Sequence, residues 1–500
     1  MRLLSSQSFS KGIVSSTVLN VFAKGIQFAN TILIAFYFGA NRDTDLYYFI
    51  LAISLLIATL INSLDNIVFI PEFIKLRETR TEQQAFKFLN LYIYLYAILG
   101  LLIAVFVLLL SSSSMSVIFN INISAKNLAY IKAAGVLPFL MLITNLFSAI
   151  ANAYNYFTVP VIINLVNSVV VTLVTLFFHN SLGPMCGIVA LLAGYSINIA
   201  LLLYILLSKI KWTFKKASWS VTAHLRTSIG VSYLTLLPIT LRNYMVSYLF
   251  SGFGGGVLTA VNWGQQMAAL PDVFITNQIV NITSIKFSEF YAKQERQKAY
   301  ELFYNITEYL FVILFACMAV SLIYSHEIIT ILLSRGSFNE EKAAITVTVF
   351  ALLSVQPVIN LFPIVAARLF VAFQLLKKTT IVTTISHIII TVLLFFSIKK
   401  YGYIGFGIAS LAGYLFQTFL YLYITKKTFK GIDIKQIFYR ILKPIAALTA
   451  ALFILYFIHR QLIVTWEKYV SFFTGSIAFL YIAVRLYKSI ILSYLKKPNK

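Results

Sequence analysis

A lysine near the middle of a long apolar run is the residue best suited to chemistry in this chain. Lys24 lies in the stretch 12–38, which is long enough to cross a bilayer as a helix. A lysine that faces lipid there costs at least about 2.5 kcal/mol. Four polar residues share its helical face, at spacings of three or four: Ser16, Asn20, Gln27 and Thr31. This face predicts a watery cavity between helices, in which the cation attracts an anionic group.

A second mid-membrane cation follows from an internal repeat. One constant shift, which we call the repeat shift, lays 183–205 on 402–424 with ten identities in 23 positions. The repeat shift also carries Lys24 onto Asn243, beside Arg242. Each half of the chain therefore offers one cation on its first helix.

Two interpretations of these cations stay open at the sequence level. Either they bind an anionic substrate group, or they neutralise an intramembrane acid such as Asp65, Asp272 or Glu308 and serve structure alone. Arg368, near the cytoplasmic end of a later predicted helix, either binds substrate or extends its head group to the membrane surface.

Composition excludes a soluble protein. Of the 500 residues, 60% are hydrophobic and 11% are charged, and apolar runs recur along the whole chain. The net charge of +24 is explained by the positive-inside rule, and nucleic-acid binding is not expected. The five histidines are scattered and no catalytic or metal-binding motif occurs, so we expect no enzyme, no cofactor and no metal site.

The apolar runs predict an all-α polytopic membrane protein with fourteen transmembrane helices. They lie at residues 12–38, 46–70, 88–111, 129–152, 158–179, 184–208, 228–250, 258–285, 303–325, 343–372, 379–398, 403–425, 438–458 and 469–493. The first twelve form two six-helix pseudo-symmetric lobes, 1–210 and 211–430, and 431–500 adds two helices. Predicted inner segments hold about three times as many Lys and Arg as outer ones, which predicts two cytoplasmic termini.

Two further predicted helices carry polar stripes at helical spacing. One comprises Asn145, Ser148, Asn152 and Asn155, and the other Thr259, Asn262 and Gln266. Amides and hydroxyls in such stripes suit the hydroxyl groups of sugars, and they also join helices to each other. Both interpretations stay open.

Short motifs are spaced along the chain: Phe38-Gly39-Ala40 with Thr44-Asp45, Phe69-Ile70-Pro71, Leu270-Pro271, the segment 331–338, and Arg368-Leu369-Phe370-Val371-Ala372. They resemble the FGA...TDAF, FVP, RLxxLP, LLFERGAF and RAFYA stretches of the MurJ/MviN family of lipid II flippases, in the multidrug/oligosaccharidyl-lipid/polysaccharide exporter superfamily. The resemblance implies that Asp45 is a gate or charge partner at the outer end. It also implies that the last two helices form a groove for a polyprenyl tail.

The chain departs from the family at several charged positions. The family's first helix-1 arginine falls on Lys24, which keeps the charge, and its second falls on Asn30. The RLxxLP arginine falls on Gln266, and the paired arginines of helix 2 fall on Ile57 and Ala58. The candidate substrate-binding residues are Lys24, Arg242, Arg368, Asn30, Gln266 and Asp45. A cavity with fewer fixed cations leaves room for a glycan other than lipid II.

These observations predict a flippase of a bacterial inner membrane. It would move a polyprenyl-diphosphate-linked oligosaccharide, lipid II or a related cell-envelope precursor, from the inner to the outer leaflet by alternating access. The alternatives are a flippase for O-antigen or capsular repeat units and, from another class, a cation-coupled multidrug exporter. The exporter would require carboxylates in the cavity, whereas the mid-membrane excess here is cationic.

Overall fold

The computed structural model describes residues 9–214, 216–218, 223–462, 466–477 and 481. This part of the chain forms α-helices joined by short connections and contains no strand. The helices are α1 (Phe9–Phe38), α2 (Arg42–Leu64), α3 (Ile70–Thr79), α4 (Glu82–Leu109), α5 (Ser112–Phe119), α6 (Ala125–Ala134), α7 (Leu137–Ala153), α8 (Val159–Leu182), α9 (Cys186–Ser208), α10 (Ala223–Ser251), α11 (Val257–Ala268), α12 (Asn277–Ala292), α13 (Arg296–Ile323), α14 (Ser325–Leu332), α15 (Glu340–Leu353), α16 (Gln356–Ala372), α17 (Leu376–Thr428) and α18 (Ile434–Gln461). The expected all-helical class is confirmed.

Eight helical stretches of the described chain are long and apolar enough to cross a membrane, or nine if α15 and α16 form one bent span. Two of the eight, Val159–Ser208 and Leu376–Thr428, have 50 and 53 residues. Each is more than twice the length of about 20 residues that one crossing needs. The count of fourteen and the two six-helix lobes stay predictions, and most of the predicted helix 469–493 lies outside the described residues.

A glycine breaks each of these two long stretches. Gly183 has a φ of 60° and a ψ of −153°, and Gly402 has a φ of 58° and a ψ of −135°. Only glycine enters this part of conformational space readily, because it has no Cβ. The two glycines are the first residues of the two segments that the repeat shift aligns, so they are equivalent positions of the internal repeat.

Helices α7 and α16 show the same relationship. The repeat shift carries both bounds of α7 onto those of α16, and each helix has a proline, Pro138 or Pro357, in its first turn. Each helix is followed by a residue with positive φ, Asn155 at 64° and Gln374 at 60°. The repeat is therefore present in the backbone geometry at these positions.

The chain divides into two compact units. The first comprises Met1–Thr259 and Arg335–Asn339, and its core includes Phe73, Phe88 and Leu142. The buried Trp212 belongs to this core and donates a hydrogen bond of 2.9 Å from Nε1 to Asn90 Oδ1. This bond fixes the connection after α9 against α4.

The second unit comprises Ala260–Ser334 and Glu340–Lys500. Its core includes Phe303, Val365 and Phe370, and α18 is joined to α13 by an ion pair of 3.6 Å between Arg440 and Glu308. The predicted lobe boundaries at 210 and 430 divide the chain by repeat, not by packing, and they stay a prediction.

Two π-helical segments interrupt long helical stretches, one in each unit. They are Asp65–Phe69, between α2 and α3, and Asp272–Thr276, before α12. Each begins at an aspartate. Wider turns of this kind occur often at functional sites.

Candidate functional site

Lys24 lies on α1, and the polar face of this helix around it is partly exposed. Its Nζ donates a hydrogen bond of 3.0 Å to Oε1 of Gln27, one turn further along the helix. Lys24 and Asn20 are half-buried and Gln27 is exposed. Within the described residues Lys24 takes part in no ion pair. A positive charge without a carboxylate partner is available to an anionic ligand.

Two of the acids that could have neutralised Lys24 make other contacts. Glu308 pairs with Arg440. One carboxylate oxygen of Asp65 contacts the hydroxyl of Tyr96 at 2.6 Å. The ion pairs of the described residues thus give no support to a purely structural role for Lys24.

The polar residues that follow Gln27 on α1 are buried, unlike Gln27 itself. Asn30 and Thr31 are both buried, and the amide of Asn30 donates a hydrogen bond of 3.0 Å to the carbonyl of Ser168 on α8. Asn30 therefore holds α1 against α8 in this conformation. The side chain of Ser16 lies outside the described part.

Asp45 is almost fully buried at the start of α2 and caps another helix. Its carboxylate accepts backbone N–H bonds from Gly256 at 2.6 Å and from Thr259 at 2.7 Å, and the Thr259 hydroxyl donates a further bond of 2.7 Å. Gly256 immediately precedes α11 and Thr259 lies in its first turn, where a negative charge is stabilised by unpaired N–H groups and by the helix dipole. Thr259 is therefore engaged here and is not open to a ligand.

Arg242, Gln266 and Arg368 occupy three other helices. Arg242 on α10 is half-buried and donates from Nη2 to Asn243 Oδ1 at 3.3 Å. Gln266 on α11 is half-buried, and Arg368 is exposed on α16 between buried neighbours on either side of the helix. Lys24, Asn30, Asp45 and Arg242 belong to the first compact unit, and Gln266 and Arg368 belong to the second.

The polar stripe of α7 is open although the helix is deeply packed. The span 127–153 is 72% buried, more than any other candidate span of the described chain. On α7 the exposed side chains are Asn145 and Asn152, with Ser148 half-buried, while the apolar face is closed. Amides that face lipid are costly, so an exposed amide face on the most buried span indicates a water-filled cavity.

A close approach of backbone segments at three glycines was not foreseen from the sequence. Gly39, Gly256 and Gly336 all have positive φ, and a Cβ added to any of them would collide with a backbone carbonyl of another segment. The backbone of Ser337 donates a hydrogen bond of 3.0 Å to the carbonyl of Phe36. We call this arrangement the glycine contact. Its only signal in the sequence was the presence of Gly39 and Gly336 within two of the short motifs.

Solved structures show the same fold. The chain is similar to the lipid II flippase MurJ in an inward closed conformation, with a TM-score of 0.79 and 15% identity over 96% of this chain and 100% of that one. It is also similar to an inward-facing multidrug resistance transporter of the MATE family, with a TM-score of 0.64 and 14% identity over 82% and 99% of the two chains. The chain is also similar to a transporter of the MOP superfamily from Pyrococcus furiosus. The TM-score is 0.59 and the identity is 15%, over 85% of this chain and 96% of that one.

A search of curated protein sequences gives no significant match. The family comparison is decisive, because residues 34–482 match the model of the lipid II flippase MurJ family. This range includes the candidate residues Asp45, Arg242, Gln266 and Arg368. The chain belongs to the lipid II flippase MurJ family.

Proposed function

We propose that this protein moves a polyprenyl-diphosphate-linked oligosaccharide, lipid II or a related cell-envelope precursor, from the inner to the outer leaflet of a bacterial inner membrane by alternating access. Members of its family are transporters and not catalysts. The observation that carries the proposal is the open amide face of Asn145 and Asn152 on the most buried candidate span. A lipid-facing helix would not keep such a face.

In this proposal the two parts of the substrate head group meet different side chains. Lys24 attracts the diphosphate, since hydrogen bonds between charged groups are the strong ones. Arg242 and Arg368 contribute positive charge from their own helices, and Gln266 accommodates the glycan. The amides of α7 bind sugar hydroxyls. Asn30 enters the binding surface only if its bond to the Ser168 carbonyl opens.

Asp45 is proposed to act as a gate residue at the outer end. Its bonds to Gly256 and Thr259 hold the start of α2 against the start of α11. Opening of the outer side would break these bonds and expose the carboxylate to water. The tail of the substrate is assigned to the segment 431–500, of which α18 packs against α13. Both termini are proposed to be cytoplasmic, because the basic residues favour that side.

A flippase for O-antigen or capsular repeat units is the second candidate. Asn30 and Gln266 stand where the family has arginines, and Lys24 replaces an arginine. Arginine binds phosphate groups in a bidentate manner, whereas lysine acts as a point charge. A site with this composition favours a substrate whose recognition depends more on sugar hydroxyls and less on fixed cations.

The test is translocation of fluorescent polyprenyl-diphosphate glycans by the purified protein in proteoliposomes. Replacing Lys24 by Gln should lower the rate at least about tenfold, because a hydrogen bond to a charged group is worth roughly 1.5–3 kcal/mol. Lys24→Arg should retain activity, and Lys377→Gln, at an exposed lysine of α17, should have no effect. Thermal stability should be unchanged in all three.

Two outcomes would count against this proposal. If Lys24→Gln lowers the thermal stability and removal of an acid restores both stability and transport, Lys24 serves structure, since stranding a buried acid costs roughly 3–5 kcal/mol. If the wild-type protein moves no lipid-linked glycan, the function itself is wrong. Comparing lipid II with an O-antigen repeat unit on the same carrier separates the two candidate substrates.

A further inference from the structure

The carboxyl group of Asp65 lies in a setting that suits a neutral acid and not an anion. The side chain is 1% exposed, at the start of the π-helical segment Asp65–Phe69. Among the described residues its Oδ2 is buried without a hydrogen-bond partner, and so are both polar atoms of the Asn62 amide, one turn earlier. A buried carboxylate anion without a counter-charge costs several kcal/mol, so its usual response is to bind a proton.

The hydrogen bonds of Tyr96 give an independent argument for that proton. The Tyr96 hydroxyl lies 2.6 Å from Asp65 Oδ1 and 3.2 Å from the carbonyl oxygen of Ile61. A tyrosine has one proton to donate, and a backbone carbonyl can only accept. If Tyr96 donates to Ile61, then Asp65 must donate to Tyr96, and this requires a protonated carboxyl. A carboxylate would leave the two contacts to share the single Tyr96 proton, whereas a protonated carboxyl supplies one proton to each.

The groups around Asp65 that the structure describes supply no compensating charge. From α4, the titratable neighbours are Tyr92 and Tyr96, and α10 contributes Tyr233, which packs against the same core. The helix α7, also packed against this segment, has no titratable residue in its sequence. On α3, Glu72 is paired with Lys75 at 3.7 Å. Within the described residues Asp65 has no ion pair.

We propose that Asp65 is a proton-binding site and that exchange of its proton is coupled to the transport cycle. In the conformation described here the chain of donors runs from Asp65 to Tyr96 to the Ile61 carbonyl, and it joins α2 to α4. Release of the proton to water would leave an anion with one donor for two acceptors. The anion would have to be hydrated, which requires the contact between Tyr96 on α4 and Ile61 on α2 to open. Binding of a proton restores the closed arrangement.

The second π-helical aspartate does not repeat this arrangement. Asp272 is half-buried, and its Oδ1 is buried without a partner in the described part of the chain. No tyrosine hydroxyl is bonded to it there. The donor chain is therefore a feature of the first unit.

Infrared spectroscopy of the membrane-reconstituted protein tests the proton directly. At neutral pH the wild-type protein should show a carboxylic acid band that is lost in Asp65→Asn. In Tyr96→Phe the band should persist and shift to higher wavenumber, because the acid loses its acceptor. Tyr92→Phe is the matched control, a hydroxyl deletion one turn away on the same helix, and should leave the band unchanged. This readout needs no glycan, and the Tyr96→Phe shift is informative even if Asp65→Asn does not fold.

The coupling rests on the proposed function and is tested separately. Wild-type transport in vesicles should depend on a pH gradient, and Asp65→Asn should lose that dependence. If no band at neutral pH depends on Asp65, or if adding sodium at constant pH removes the band, the proton site is wrong. If the band behaves as expected but Asp65→Asn still responds to the gradient, the coupling is wrong. A wild-type protein that shows the band but moves no glycan would overturn only the proposed function.

Discussion

Helices α7 and α16 have equivalent ends and different exposed faces. Their bounds, their first-turn prolines and the turns that follow them coincide under the repeat shift. The three positions that carry Asn145, Ser148 and Asn152 on α7 carry Ile364, Ala367 and Val371 on α16. Arg368 stands on α16 where α7 has the buried Ala149.

The repeat therefore conserves the scaffold and not the chemistry. Backbone features such as a positive φ or a proline-led first turn depend on a few residues, and both copies retain them. The exposed faces differ between the copies. Helix α7 presents amides, and helix α16 presents apolar groups and a guanidinium.

The largest expected effect is the loss of the amide face. Asn145→Leu together with Asn152→Leu should lower transport by about 30-fold, because each lost hydrogen bond is worth roughly 1 kcal/mol. The matched control is Ile364→Leu together with Val371→Leu, which preserves the apolar face of α16 and should leave transport unchanged. Proteoliposome assays measure both. Normal transport by the asparagine variant would mean that the face of α7 binds no sugar.

The guanidinium of α16 is expected to have the next largest effect. Arg368→Gln should lower transport by about tenfold if the charge binds substrate, and Arg368→Lys should retain most of the activity. The initial rate in the same assay gives the answer. An unchanged rate in Arg368→Gln would show that this arginine only extends to the membrane surface, and the contrast between the helices would then rest on α7 alone.

The paired glycines test the equivalence of the two backbones. Gly183→Ala and Gly402→Ala should each lower stability by roughly 1–3 kcal/mol, the range for a side chain forced into a glycine conformation. A Cβ at Gly183 would meet no atom within 4 Å, so the expected cost there is conformational. Thermal unfolding in detergent compares the two variants. A large loss in only one of them would contradict the equivalence.

The smallest effect is expected at the two turns. Gln374→Gly should remove the strain of a positive φ at a glutamine, and it should also add conformational freedom to the unfolded chain. The net effect should be a gain in stability of about a few tenths of a kcal/mol. Asn155→Gly should be neutral or slightly destabilising, because asparagine tolerates this conformation well. Differential thermal unfolding of the two variants would resolve the difference, and a reversed order would contradict it.

Local features of this chain were predictable from the sequence. The spacing of three between Lys24 and Gln27 predicted one helical face, and the hydrogen bond between them agrees. The helical class followed from the apolar runs. For the polar stripe of α7 the sequence left two interpretations, sugar binding and the joining of helices; Asn145 and Asn152 are exposed, and sugar binding stays a proposal.

Features that depend on distant partners were not predictable. Helical periodicity put Thr31 on the face of Lys24, yet Thr31 is buried, and the adjacent Asn30 is tied to α8 through a residue 138 positions away. The partners of Asp45 lie more than 200 positions along the chain. Periodicity reports which side chains share a face, and only the tertiary structure decides which part of that face another helix covers.

The glycine contact has a consequence for how this sequence can diversify. Gly39, Gly256 and Gly336 are each fixed twice, by a positive φ and by a carbonyl where a Cβ would stand. Ser337 is exposed, its backbone N–H bond to the Phe36 carbonyl can be made by any residue except proline, and its hydroxyl adds a bond of 3.1 Å to the Tyr37 carbonyl. A saturation mutagenesis scan of 335–339 should accept many residues at Ser337 and almost none at Gly336. Substitutions can therefore accumulate at the other exposed positions of the glycine contact while its backbone arrangement is kept.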